Sequence, residues 1–252
     1  MPRYRMTIEY DGTGYHGWQR QEGLVSIQQS IEQAMEQFAR HPVSVHAAGR
    51  TDAGVHALGQ VIHVDLEKEW KPGKVQEATN GLLKLSGHPI AVLAVEAVDD
   101  SFDARFSALT RSYRYRIINR IAPLTVERER AWWIRFPLDE HRMHEAAQVL
   151  IGTHDFTTFR STDCQAKSPV RTLDRLQVRR TNEVEIEVIA EARAFLHNQV
   201  RSLVGSLKLV GDGKWTTADL ERARDALDRK ACGPVAPACG LYLTSVGYGE
   251  KD

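Results

Sequence analysis

Ala47-Ala48-Gly49-Arg50-Thr51-Asp52-Ala53-Gly54-Val55-His56-Ala57 is the stretch on which the reading of this chain turns. A single carboxylate, Asp52, lies between two glycines, with Arg50 two residues before it. Glycine permits tight turns and lets a ligand approach the backbone. A neighbouring cation keeps a carboxylate ionised and orients it. A lone ionised Asp on a Gly-bounded loop suits nucleophilic or general-base work. The competing reading is an ordinary polar turn, in which Asp and Gly are the commonest residues.

The flanks place this loop between two strands. Val43, Val45 and Ala47 alternate into it, and residues 59–66 read as a strand leaving it. Further upstream, Tyr4, Met6, Ile8 and Tyr10 alternate with Arg3, Arg5, Thr7 and Glu9, which is the period of a half-buried strand. Asp11-Gly12-Thr13-Gly14 ends that strand as a turn. Ser26 and Gln29 form a capping-box pattern, and Ile27, Ile31, Met35 and Phe38 follow at helical spacing. A helix is expected over residues 26–40, stopped before Pro42.

A second helix fits residues 74–85 and a strand fits Ile90–Val98. Phe102-Asp103-Ala104-Arg105-Phe106-Ser107 carries neither period and marks the domain junction, dividing the chain into 1–103 and 104–252. Beyond it come a strand over 111–118 and a helix over 139–151, with Asp139 as N-cap and Gly152 past its end. Strands at 170–180 and 183–190 follow. A helix striped by Leu196, Val200, Leu203, Val204 and Leu207 ends at Gly211, a further helix covers 217–229, and a last strand covers 241–248. Strands and helices mix without strict alternation, so the class is α+β: two sheet-plus-helix halves with a cleft between them.

Composition bounds the function. With 252 residues, 42% hydrophobic and 26% charged, the chain reads as a globular protein. Its apolar runs are too short to span a membrane, and Met1–Met6 carries no apolar stretch of signal-peptide type, so a cytoplasmic location is expected. Cys164, Cys232 and Cys239 are too few and too scattered for a disulfide framework. Thirty-three basic residues balance thirty-three acidic ones. Nucleic-acid binding would therefore need a local basic face. Arginines do cluster, at Arg111, Arg114, Arg116 and Arg120 and at Arg171, Arg175, Arg179 and Arg180. A solvated strand face and a phosphate-binding one account for that pattern equally well. His56 follows Asp52 by four residues, with His46 and His63 nearby, but no H-x-x-x-H pair or carboxylate triad accompanies them. No metal site is expected.

Six short motifs in order carry a resemblance along nearly the whole chain. They are Tyr10-Asp11-Gly12 with Gly17-Trp18-Gln19-Arg20-Gln21; Gly49 to His56; Ala104-Arg105-Phe106-Ser107 with Tyr113-Arg114-Tyr115; Gly152-Thr153-His154-Asp155-Phe156 with Phe159-Arg160; Phe195 to Arg201; and Gly240-Leu241-Tyr242-Leu243. In these the chain resembles the tRNA pseudouridine synthases of the TruA family. One stretch departs: Leu83 to Ile90 stands where the family has a Leu-Pro-Asp-Ile-like segment. The departure leaves the Asp52 motif untouched.

The resemblance implies a pseudouridine synthase fold, with ferredoxin- or RRM-like halves flanking a catalytic cleft. It also implies conversion of uridine to pseudouridine in the anticodon stem-loop of tRNA, at positions 38, 39 and 40. Atoms are conserved in that rearrangement, so neither cofactor nor metal is required. Asp52 would be the catalytic carboxylate, attacking C1′ or the uracil ring, or removing the 2′ proton. Carboxylates serve glycosidic chemistry elsewhere in the same general way. Tyr113 would stack on the flipped uracil, with Tyr115 supporting it from the same face. Arg201 would pair with Asp52, Arg50 would hold the RNA backbone or the displaced base, and Leu243 would line the uracil pocket. Asp155 and His154 would be structural, capping a turn, and Trp18, Trp132 and Trp133 would belong to the core. The family is a homodimer that binds tRNA. Two other readings use the same residues: a non-catalytic tRNA-binding protein, for which Asp52 would be dispensable, and an N-glycosidic hydrolase, which would release free uracil.

Overall fold

The computed structural model describes residues 1–249. Along the chain run β1 (Arg3–Tyr10), α1 (Ile27–Ala39), β2 (His46–Ala47), β3 (His56–Asp65), α2 (Pro72–Leu85), β4 (Ile90–Val98), β5 (Ala108–Asn119), β6 (Trp132–Ile134), α3 (Glu140–Ala147), β7 (Gly152–Asp155), β8 (Val170–Arg180), β9 (Glu185–Ala192), α4 (Gln199–Gly211), α5 (Thr217–Asp225) and β10 (Leu241–Tyr248). The mixture is α+β, as the alternating periods require. No helix among the described residues is long and apolar enough to cross a membrane.

Two compact units divide these elements. The first comprises Met1–Leu109 with residues 242–249, and the second comprises Thr110–Leu241. The division falls six residues beyond the expected junction at 103/104, and β10 goes with the first unit although it is last in sequence.

In the first unit, β1 lies between β4 and β3, antiparallel to both, and β10 runs parallel to β3. Alternation in β1 buries Tyr4, Met6, Ile8 and Tyr10. Helix α1 starts at Ser26, whose Oγ accepts the Gln29 N–H at 3.3 Å. The reciprocal half of the expected capping box is missing: Gln29 Oε1 is buried without a partner. Arg40, at φ 65°, closes the helix in the left-handed region. The strand expected from Val43 shrinks to the two residues of β2. The reason is local competition. The Val45 N–H donates to Glu32 Oε1 at 3.2 Å, and its carbonyl accepts from Gln28 Nε2 at 3.2 Å, so α1 side chains satisfy groups that a ladder would use.

In the second unit, β5, β9, β8 and β7 are successive antiparallel neighbours, and β6 pairs with β5 in parallel. One face of β5 carries the buried Tyr113, Tyr115 and Ile117, and the other carries Arg114 and Arg116. Helix α4 is buried over most of its surface, its apolar stripe joined by the buried Gln199, Ser202 and Ser206. It begins at Gln199, three residues after Leu196, because Asn198 sits at φ 62° and breaks the run. Gly205 lets it meet a strap at close range: a Cβ there would lie 1.6 Å from the Pro234 carbonyl oxygen. α5 stops at Asp225, four residues short of expectation, and its start carries a full capping box between Thr216 and Asp219.

Candidate active site

Asp52 occupies the first position of a tight turn. The Val55 N–H donates to the Asp52 carbonyl at 3.1 Å, and Gly54 stands at φ 75° in the third position. That is the place where a type II turn demands a positive φ. The side chain of Asp52 is half-buried, and Arg50 is exposed and makes no ion pair among the described residues.

The loop rests on the segment that follows β1. Trp18 donates its N–H to the Thr51 carbonyl at 2.9 Å. Gly17, at φ 84°, lies so close that a Cβ would come within 2.7 Å of the same oxygen. Gly12 is equally tight, with Val55 O at 2.1 Å from its would-be Cβ. Trp18 is a core residue, as expected. From below, the Tyr10 hydroxyl bonds Thr51 Oγ1 at 2.9 Å, and Gln60 Nε2 donates to the Gly49 carbonyl at 2.7 Å. Burial pushes the Tyr10 phenol up to about 12, against the opposing pull of its hydrogen bonds to Thr51 and Gln60. Tyr10 is therefore a neutral strut under the loop at physiological pH. His56 Nδ1 accepts the Gly12 N–H at 3.0 Å and lies 3.1 Å from Asp11 Oδ1, while its ring stacks on Tyr242 at 4.7 Å. These contacts give His56 a bracing part at the exit of the loop.

Tyr10, Gln60, Gly12 and Gly17 are the residues that reading the sequence missed. Three of them lie in the N-terminal motif, yet nothing in their spacing says that they support a loop some forty residues away. Leu243 is fully buried on β10, opposite Ala57 of β3, two residues beyond the end of the turn.

Tyr113 and Arg201 belong to the second unit. Tyr113 is buried, with its ring edge-on to Phe195 at 5.2 Å. Tyr115, on the same face, donates its hydroxyl to the Pro237 carbonyl at 2.7 Å and packs against Gly240. Burial, with a smaller contribution from Cys239, raises its phenol well above the usual range. Arg201 is half-buried on α4. Its Nε donates to the Ala236 carbonyl at 2.8 Å and its Nη1 to Asn198 Oδ1 at 2.8 Å. Two anchors thus fix the guanidinium direction.

The clustered arginines are largely committed within their own unit. Glu187, nearly buried, takes Arg114 on one oxygen at 3.3 Å and Arg179 on the other at 2.8 Å. Arg116 pairs with Glu185 and Glu127, Arg175 with Glu191, and Arg180 with Glu140. Diagonal and direct cross-strand pairs of opposite charge stabilise a sheet, so this face is an ion-pair ladder. Asp155 Oδ1 accepts the Thr157 N–H at 2.8 Å, the turn-capping part expected of it. Trp132 is half-buried and packs edge-on to Tyr115, but Trp133 is exposed, with its Nε1–H bonded to the Arg120 carbonyl; it is not a core residue.

A sequence profile described as tRNA pseudouridine synthase matches residues 6–107 and 146–249. The chain is similar to "tRNA pseudouridine synthase A" of Rhizobium meliloti, at 58% identity over 248 residues, covering 98% of this chain and 100% of the relative. It is 58% identical to the protein of the same description from Brucella ovis, with 98% of each covered. Among solved structures it resembles a chain of the archaeal box H/ACA sRNP Nop10-Cbf5 complex, with a TM-score of 0.35 at 13% identity, over 91% of this chain and 60% of that one.

Proposed function

Because the chain belongs to the tRNA pseudouridine synthase family, we propose that it isomerises uridine to pseudouridine in tRNA, at positions 38, 39 and 40 of the anticodon stem-loop, with Asp52 as the catalytic carboxylate. The C1′–N1 bond breaks, the uracil turns, and C5 bonds to C1′. C5 gives up its proton to solvent and N1 takes one up, so no redox partner, metal or cofactor is consumed. A flipped nucleotide is required, at a cost of about a few kcal/mol. Tyr113 offers a flat face for the uracil, and such stacking contributes about 1–3 kcal/mol per base. Leu243 lines the uracil pocket, Arg201 supplies fixed positive charge, and Arg50 engages the RNA backbone or the displaced base. Asp52 lies in the first unit, and Tyr113 and Arg201 lie in the second. The protein acts in the cytoplasm as a homodimer.

The observation that supports this reading best is the bracing of Asp52. A half-buried carboxylate sits on a turn pinned by Trp18, Tyr10 and Gln60, and preorganised groups of this kind are what transition-state stabilisation needs. The test is tritium release from tRNA labelled at uridine C5. Wild type should release tritium, and Asp52→Ala should release none while still binding tRNA. Equal release by both proteins would refute the assignment of Asp52. Binding without release by wild type would leave a tRNA-binding protein only.

A further inference from the structure

The turn Asp103–Ser107 is built more firmly than its lack of secondary structure suggests. Its five successive N–H groups all have acceptors. The Asp103 N–H donates to Ser107 Oγ at 3.0 Å, and the Ala104 N–H to His63 Nδ1 at 3.0 Å. The Arg105 and Phe106 N–H groups both donate to Asp103 Oδ1 at 2.8 Å, and the Ser107 N–H to the Asp103 carbonyl at 3.0 Å. The Tyr248 hydroxyl closes the set by donating to the Ala104 carbonyl at 2.7 Å. On this pedestal Phe106 stands 75% exposed, with the Arg105 guanidinium 5.6 Å from its ring centroid.

The pedestal and the Asp52 loop share a base. Ala104, fully buried, packs in one cluster with Ala48 and Val61. Ala48 opens the loop, and its N–H is bonded to the Val61 carbonyl at 2.8 Å. His63, which holds Ala104, stacks on His46 of β2 at 4.9 Å. Only three residues lie between Ala48 and Asp52, so at most about 14 Å of extended chain separates them. An aromatic ring held out into solvent gains nothing for the fold, because exposed surface contributes no burial energy. Fixing it beforehand reduces the ordering cost of whatever it meets.

We propose that Phe106, with Arg105 beside it, is a stacking platform for an unpaired base of the RNA substrate, next to the nucleotide being modified. The proposal rests on the reading of the chain as a tRNA-modifying enzyme. A flat apolar ring paired with a guanidinium matches a polyanion that carries flat bases. A protein surface, such as a second copy of the chain, is the other occupant an exposed phenylalanine fits, and the cation on the ring favours the RNA.

The experiment compares full-length wild type, Phe106→Ala, Phe106→Leu and Phe106→Trp. It measures the Kd for an unmodified tRNA transcript, single-turnover pseudouridine formation at saturating enzyme, thermal midpoint and oligomeric mass. Phe106→Ala should weaken binding about 5- to 140-fold, the range that corresponds to loss of one stacked base. Its saturated rate and thermal midpoint should stay near those of wild type. Phe106→Trp should bind as wild type does, and Phe106→Leu should be as weak as Phe106→Ala. Unchanged binding by Phe106→Ala, or full rescue by leucine, would overturn the platform. So would a fall in oligomeric mass accompanying the loss, which would assign the ring to a protein interface. A wild type that binds tRNA without converting uridine would defeat the catalytic reading and leave the platform standing on its binding data.

Discussion

Gly17 shows how closely the Asp52 loop is fitted to what lies beneath it. Its φ of 84° and the 2.7 Å from its would-be Cβ to the Thr51 carbonyl leave no room for a methyl group. Gly17→Ala should therefore destabilise the protein by about 2 kcal/mol or more, since left-handed strain and overlap with backbone act together. If Asp52 acts as proposed, pseudouridine formation should fall more than tRNA binding, because it is the Asp52 turn that is displaced. Thermal denaturation and a single-turnover assay check both halves. At this scale the turn that carries Asp52 was legible, since a carboxylate and a glycine two residues apart announce one. The struts were not. Tyr10 and Gln60 read as ordinary strand residues, and only the register of β1 against β3 brings them under the loop.

The Asp103 turn makes the corresponding point for elements. The segment has no period, so its sequence reads as a junction, yet its order comes from side chains that bond backbone. Burial raises the Asp103 carboxyl, but the N–H groups of Phe106 and Arg105 outweigh it, and the net direction is below the ordinary 3.8. A carboxyl lowered on folding contributes stability above its unfolded value and loses it as pH falls through the folded one. The turn should thus hold throughout the neutral range and loosen only under acid stronger than ordinary carboxylates need. Asp103→Ala should cost about 0.5–2 kcal/mol, as loss of a capping carboxylate does elsewhere, and should weaken tRNA binding in step with Phe106→Ala. Asp103→Asn, which keeps an acceptor oxygen, should restore most of both. Denaturation curves and transcript binding measured side by side are the check. Elements with strong periods, β1 and α1 among them, were legible nearly to the residue. β2 was not, because Glu32 and Gln28 capture its backbone, and β6 was not, because three residues carry no period.

For the whole molecule, formal charge of zero means that RNA affinity must come from where basic groups stand uncommitted. The arginine clusters, ambiguous as sequence, prove to be held largely by Glu185, Glu187 and Glu191 of β9. Arg175→Ala and Arg179→Ala should accordingly lower the thermal midpoint and leave the salt dependence of tRNA binding unchanged. Arg50→Ala should reduce the slope of log K against log salt by about one, as loss of one phosphate contact does. Binding titrations across a salt series decide between them. The path of the chain carries a consequence of a different kind. Strand β10 belongs to the unit that holds Asp52, although the whole second unit is threaded between them. On the ribosome, the first unit waits for more than a hundred residues before its last strand emerges from the exit tunnel. The contiguous second unit can fold meanwhile. The unit that carries Asp52 is then the last to mature, and a nascent chain stopped short of Leu241 would release a protein whose missing part lies beside its own Asp52 loop rather than at a remote end.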